Sequence, residues 1–172
     1  MKHAPQRPHQ LPFPWPDPPL QIVLVEPEIP PNTGNIARLC AATGSVLHLV
    51  GPLGFRLTAP SLRRAGLDYW DAVTIVRHSS FQTFRDSTAF PSTRCHLFST
   101  KARQSYLDSR YRPGDHLVFG SESSGLSNEI LNAFPDRVYA IPIRPDHVRS
   151  LNLATAVAVV LYEALRQIRH PA

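Results

Sequence analysis

The sequence predicts an α/β domain built on a mainly parallel six-stranded sheet with helices on both faces. Two observations lead there. From Gln21 onward, six short runs rich in valine, isoleucine and leucine alternate with segments of helical period, the pattern of strands joined by crossover helices. The loops that follow these runs are rich in small residues and proline, as expected where a buried strand must turn sharply into a helix.

The elements read as follows. Residues 1–20 hold seven of the eighteen prolines, which forbids a regular helix or central strand and predicts a flexible proline-rich extension ahead of a domain spanning 21–172. QIVLVE is the first strand. Asn32 or Thr33 caps a helix that runs to Thr43 and stops at Gly44. VLHLV is the second strand, closed by Gly51 and Pro52, and a short helix follows around Ser61 to Ala65. AVTIV is the third strand, after which Ser79 or Ser80 caps a helix with Phe81 and Phe84 on one face. CHLFS and HLVFG are strands four and five, Ser127 caps NEILNAF, VYAIPI is strand six, and Leu151 to Ile168 is the longest helix.

A chain of 172 residues is long enough for one core that hides roughly 70% of the surface its unfolded form exposes. The formal net charge of +5 favours a polyanionic partner such as nucleic acid. The two cysteines, Cys40 and Cys95, have neither CxxC nor histidine spacing around them, which argues against a disulfide framework or metal site and for a reducing, cytoplasmic setting. The N-terminus has no uninterrupted apolar stretch, and the run Leu153 to Tyr162 is too short to span a bilayer, so no membrane association is expected.

Ligands of such sheets sit beyond the carboxyl ends of the strands. No GxGxxG follows the first strand and no GxxxxGK[ST] occurs anywhere, which excludes the common dinucleotide and phosphate cradles. In their place stand small-residue loops whose main chain a ligand can approach. In Gly120-Ser-Glu-Ser-Ser-Gly125, Glu122 either faces solvent at a turn or meets a polar ligand. In IPIRPDHVRSLN, Ser150 is either the cap of the last helix or a ligand contact. Arg38, within the first helix, either lays its stem along the surface or aims at a phosphate or ribose. Arg63, Arg64, Lys101, Arg103 and Arg144 form a candidate basic rim. The last helix is apolar nearly all round, which suits either a core position or a subunit contact.

Taken in order, NTGNIARLCAATG, LVFGSESSGL and IPIRPDHVRSLNLATAVAVVLYE resemble the three motifs of the SpoU branch of the SPOUT RNA methyltransferases. LVEPEIPPNTGNIARLCAATG with LRRAGLDYWD is more closely similar to the small tRNA (cytidine/uridine-34-2'-O)-methyltransferases. The resemblance covers about Gln21 to Gln167. It implies a C-terminal trefoil knot, an obligate homodimer, S-adenosylmethionine as cofactor, and the wobble ribose in the anticodon stem-loop of tRNA, leucine tRNAs among them, as acceptor. By position it implies cofactor contacts at Phe98, Thr100, Gly120, Glu122, Ile141, Ile143, Ser150, Leu151 and Asn152. It further implies Arg38, supported by Asn35, at the target hydroxyl, and RNA contacts at Lys101, Arg63, Arg64 and Arg144. A catalytically weak RNA-binding relative, or a relative acting at another RNA site, is the alternative.

Overall fold

Gln21–Val25 forms the strand (β1) from which the domain is built outward. Its side chains alternate between two cores: Ile22 and Leu24 enter one, Val23 and Val25 the other. The structure, a computed structural model, describes residues 11–55, 72–87, 94–144 and 146–170. After β1 come α1 (Pro30–Thr43), β2 (Val46–Val50), β3 (Ile75–His78), α2 (Phe81–Asp86), β4 (Cys95–Phe98), β5 (Gln104–Ser105), β6 (His116–Phe119), α3 (Asn128–Ala133), β7 (Val138–Ala140) and α4 (Leu153–Arg169). The strands lie in the order β3-β2-β1-β6-β4-β7-β5, and every pairing is parallel.

Helices α1 and α4 pack on the face of Ile22, Leu47 and Leu117, and Phe84 of α2 with Ile130 and Leu131 of α3 pack on the face of Val23, Leu97 and Val118. The predicted two-sided parallel architecture is therefore present. Each large apolar side chain hidden this way contributes roughly 1.5–3 kcal/mol. Cys40 and Cys95 are both buried thiols in different clusters, on opposite faces of the sheet.

Several details differ from the sequence reading. The described sheet has seven strands, not six, because the two residues Gln104–Ser105 pair with β7; a pair of polar residues carries no strand pattern of its own. The third strand begins at Ile75 rather than Ala72, and β7 ends at Ala140, since Pro142 has no N–H to give a ladder. Helix α1 begins at Pro30 with Ile29 as its N-cap, because prolines suit the first helical turn. Asn32 and Thr33 consequently lie inside the helix, and both are buried. Gly44 ends α1 with a left-handed φ of 71°. Ser80 and Ser127 cap α2 and α3 as expected.

Two polar networks are buried in the sheet. The Gln21 amide donates to the Pro19 carbonyl, which points its Oε1 toward His48 Nε2 at 2.9 Å. That nitrogen carries the hydrogen, and because burial keeps His48 neutral, its Nδ1 is the acceptor for His78 Nε2 at 3.0 Å. Nearer the other edge, Asp115 accepts from Arg94 Nε, from the Arg112 N–H and from His96 Nε2, while His96 Nδ1 meets Ser109 Oγ at 2.7 Å. Serine, histidine and aspartate here resemble a catalytic triad in order, but all three are buried and act as structural ties.

Candidate functional site

The carboxyl ends of β4, β6 and β7 lie level, since Phe98 pairs with Phe119 and with Tyr139. The chain leaves all three strands there, and a cleft of about 570 Å³ opens between the exits, the start of α1 and the start of α4. That volume lies within the range of small-molecule sites. Phe98, Phe119, Ile141, Leu153 and Ala156 give it apolar surface, and the Ser99–Lys101 and Gly120–Gly125 loops give it hydroxyls and main-chain groups.

The loop Gly120–Gly125 closes on itself. Ser121 and Gly125 form an antiparallel bridge, with the Gly125 N–H donating to Ser121 O at 2.9 Å. The returning arm crosses so near Gly120 that a Cβ there would stand 2.0 Å from the carbonyl carbon of Gly125. Only glycine allows that approach.

Glu122 neither faces solvent as a spectator nor points freely into the cleft. Its carboxylate accepts from the Glu28 N–H at 2.7 Å, the Ile29 N–H at 3.2 Å and Asn32 Nδ2 at 3.0 Å. A negative group at the helix start, where α1 lacks a side-chain cap of its own, satisfies orphan N–H groups and complements the dipole. Glu28 returns the tie by accepting from Ser123 N–H and Oγ. Asn32 then passes the connection on, because its Oδ1 accepts from Asn152 Nδ2 at 2.9 Å. Asn152, not Ser150, caps α4, its Oδ1 accepting from the N–H groups of Ala154 and Thr155. One hydrogen-bonded chain thus joins the β6 loop, the start of α1 and the start of α4. Replacing Glu122 with glutamine keeps one acceptor oxygen but removes the charge and the second acceptor. About 1–2 kcal/mol of stability should be lost in urea denaturation, and an unchanged midpoint would show that the tie carries no weight.

Phe98, Thr100, Lys101, Gly120, Glu122, Ile141, Ile143, Ser150, Leu151 and Asn152 all border the cleft. Asn35, Arg38 and Arg144 are exposed and do not border it. Arg63 and Arg64 lie outside the described residues. The sequence reading missed Asn32 and Ile29 as lining residues, while Arg149 of the IPIRPDHVRSLN loop also borders the cleft. For Asn32 a signal existed: two prolines at the first helical positions move the helix start forward, which turns an apparent cap into a wall residue. Among the described residues, no cluster of side chains suits a metal ion, and no helix is long and apolar enough to cross a membrane.

An open parallel sheet with its cleft built from three post-strand loops, none of them a dinucleotide or P-loop cradle, defines a narrow class of α/β ligand-binding protein. Residues 19–162 match the SpoU rRNA Methylase family, and the chain belongs to that family. It is 49% identical over 147 residues to a tRNA (cytidine(34)-2'-O)-methyltransferase of Polaromonas sp., covering 85% of this chain and 89% of that one. It is 47% identical over 153 residues to the tRNA (cytidine(34)-2'-O)-methyltransferase of Escherichia coli K12, covering 88% and 96%. Among solved structures, one described as concerning the 2-OH methylation of C/U34 on tRNA superposes with a TM-score of 0.79 at 50% identity, over 86% of this chain and 95% of that chain. The SpoU methyltransferase AviRb of Streptomyces viridochromogenes, in complex with AdoMet, superposes with a TM-score of 0.72 at 25% identity, over 86% of this chain and 57% of the other.

Proposed function

We propose that this protein transfers the methyl group of S-adenosylmethionine to the ribose 2'-hydroxyl of nucleotide 34 in tRNA. The observation that carries the reading is the cleft itself, in which the three family motifs meet as one lining in a chain almost half identical to enzymes named for that reaction. The residues suit the cofactor: aromatic and aliphatic side chains can cover an adenine, hydroxyl and main-chain groups can bond a ribose and an amino acid moiety, and Gly120 leaves the main chain open to close approach. Bound there, S-adenosylmethionine supplies an electrophilic methyl group.

The protein's part is to hold the acceptor ribose in line and to ease loss of its proton, because a ribose hydroxyl is a poor nucleophile at neutral pH. Asn32 stands in the cleft wall, and Arg38 follows six residues later on the same helix, roughly 9 Å along its axis. Arg38 and Asn35 are exposed, as groups that meet RNA must be. An arginine keeps its proton, so Arg38 acts by stabilising the developing alkoxide through a charge-assisted hydrogen bond while water takes the proton. Arg38→Ala should lower kcat by roughly 10²–10³-fold. Recovery of most of that rate in Arg38→Lys would show that charge alone suffices, and a loss equal to alanine's would show that the planar fork is required.

The basic rim of Lys101 and Arg144, with Arg63 and Arg64, is assigned to the anticodon stem-loop, and leucine tRNAs are the acceptors the reading favours. The catalytic unit is residues 21–172, with 1–20 as an accessory extension. A homodimer belongs to the same reading, since Tyr162 and the half-buried Ala158 and Val159 leave apolar surface on α4. So does a knot, since β7 enters the sheet between β4 and β5 although it follows both in the chain. The cytoplasm, where tRNA matures, is the setting. Incubation with labelled S-adenosylmethionine and bulk tRNA, then nuclease digestion and mass spectrometry, tests the proposal; methyl on the ribose of nucleotide 34 is expected, and unlabelled RNA would overturn it.

A further inference from the structure

We propose that residues 11–20 and the end of α4 form a second RNA-binding surface, an aromatic and arginine platform that stacks an unpaired nucleobase away from the cleft. Phe13 packs against the core shared by α1 and α4. Its ring centroid lies 4.5 Å from that of Trp15, and the guanidinium carbon of Arg169 stands 5.6 Å from the Phe13 centroid. Trp15 is thereby supported from below while it stays 50% exposed. A supported, open indole beside a cation is the arrangement on which nucleobases stack without regard to sequence.

The charge around the platform has the sign that RNA requires. The Tyr111 N–H donates to Gln167 Oε1 at 3.2 Å, which brings the exposed Arg110 and Arg112 against the end of α4. The same turn reaches the 11–20 segment, because a Cβ on Gly114 would meet Pro18 Cγ at 2.8 Å. Two acids of this end, Asp115 and Glu163, are already bonded to Arg94 and Arg166, and Asp17 is the acidic residue of the segment itself. Helix α4 starts at the cleft and ends at Arg169, so the platform lies roughly 24 Å along the helix from the site of chemistry. Trp15 and Arg169 both lie outside residues 19–162, the span that the family model matches.

The proposal rests on RNA being the substrate, and its test separates the two. Trp15→Leu keeps an apolar contact for Phe13 while removing the stacking face, so an unchanged melting temperature certifies the fold. It should raise the Kd for bulk tRNA by about tenfold and abolish the part of the tryptophan quenching seen when the wild-type protein is titrated with a single-stranded oligoribonucleotide that Trp15 supplies. Arg169→Ala should lower the slope of log Kd against log salt by about one. At saturating tRNA, Trp15→Leu should transfer methyl at the wild-type rate with a raised KM. Two variants that bind tRNA within about twofold of wild type, with methyl transfer intact, would overturn the platform and leave the catalytic reading standing. Trp15-dependent RNA binding by a wild-type protein that transfers no methyl would do the reverse. A change of oligomeric state in Trp15→Leu with unchanged RNA affinity would assign the surface to a second copy of the chain and overturn the proposal.

Discussion

A Gly120→Ala protein is expected to lose S-adenosylmethionine binding by about a hundredfold in calorimetry and to melt well below the wild type. The added Cβ would lie 2.0 Å from the Gly125 carbonyl carbon, 2.2 Å from Leu126 N and 2.4 Å from Gly125 O. These are backbone atoms of the returning arm, and no side-chain rotation relieves the overlap. The arm must move by an ångström or so, which breaks the Ser121–Gly125 bridge and shifts Glu122 away from the N–H groups of Glu28 and Ile29. The cost is on the order of 3 kcal/mol or more. Binding within about threefold of wild type at an unchanged melting temperature would show that the arm does not cross so closely.

Acidification should destabilise the protein through two buried histidines. Burial, with the neighbouring His116 and His78, lowers His48 from 6.5 to about 4, and burial likewise lowers His116 to about 4. Between those values the unfolded chain binds more protons than the native one, so stability is complete above pH 6.5 and falls as the pH approaches 4. Moving from pH 7 to pH 5 should remove about 2 kcal/mol for each histidine, roughly 4 kcal/mol for both. Urea titrations at the two pH values read this directly, and equal midpoints would overturn it. Asp115 adds to acid sensitivity at lower pH. Burial raises its carboxyl, but His96, the Arg112 N–H and Arg94 outweigh this and hold it below the ordinary range, so its contribution vanishes last, as the pH falls through that lowered value.

Much of the architecture could be read in the residues. β1, β2, β4 and β6 are apolar runs that need no partner to declare themselves, Gly44 marks the end of α1, and Ser80 and Ser127 are caps within three residues of the N–H groups they bond. These signals are local. The loops around the cleft were also legible, because post-strand turns in a parallel sheet have few other roles. Glu122 was not, since a carboxylate between serines carries the same local pattern whether it meets water or the end of a helix 94 residues away.

The sequence by itself determined the strands, the helix stops, the two-faced sheet and the positions of the three loops, because hydrophobic period and turn chemistry act over a few residues. Only the tertiary structure decided the rest. It brought Glu28, Asn32, Glu122 and Asn152 into one hydrogen-bonded chain, paired Gln104–Ser105 as a seventh strand, kept His48 neutral through burial beside His116 and His78, and set Phe13 beneath Arg169. Each of these depends on which distant segments the sheet order makes neighbours, and hydrogen bonds, desolvation and ring contacts are properties of that proximity, not of any residue alone.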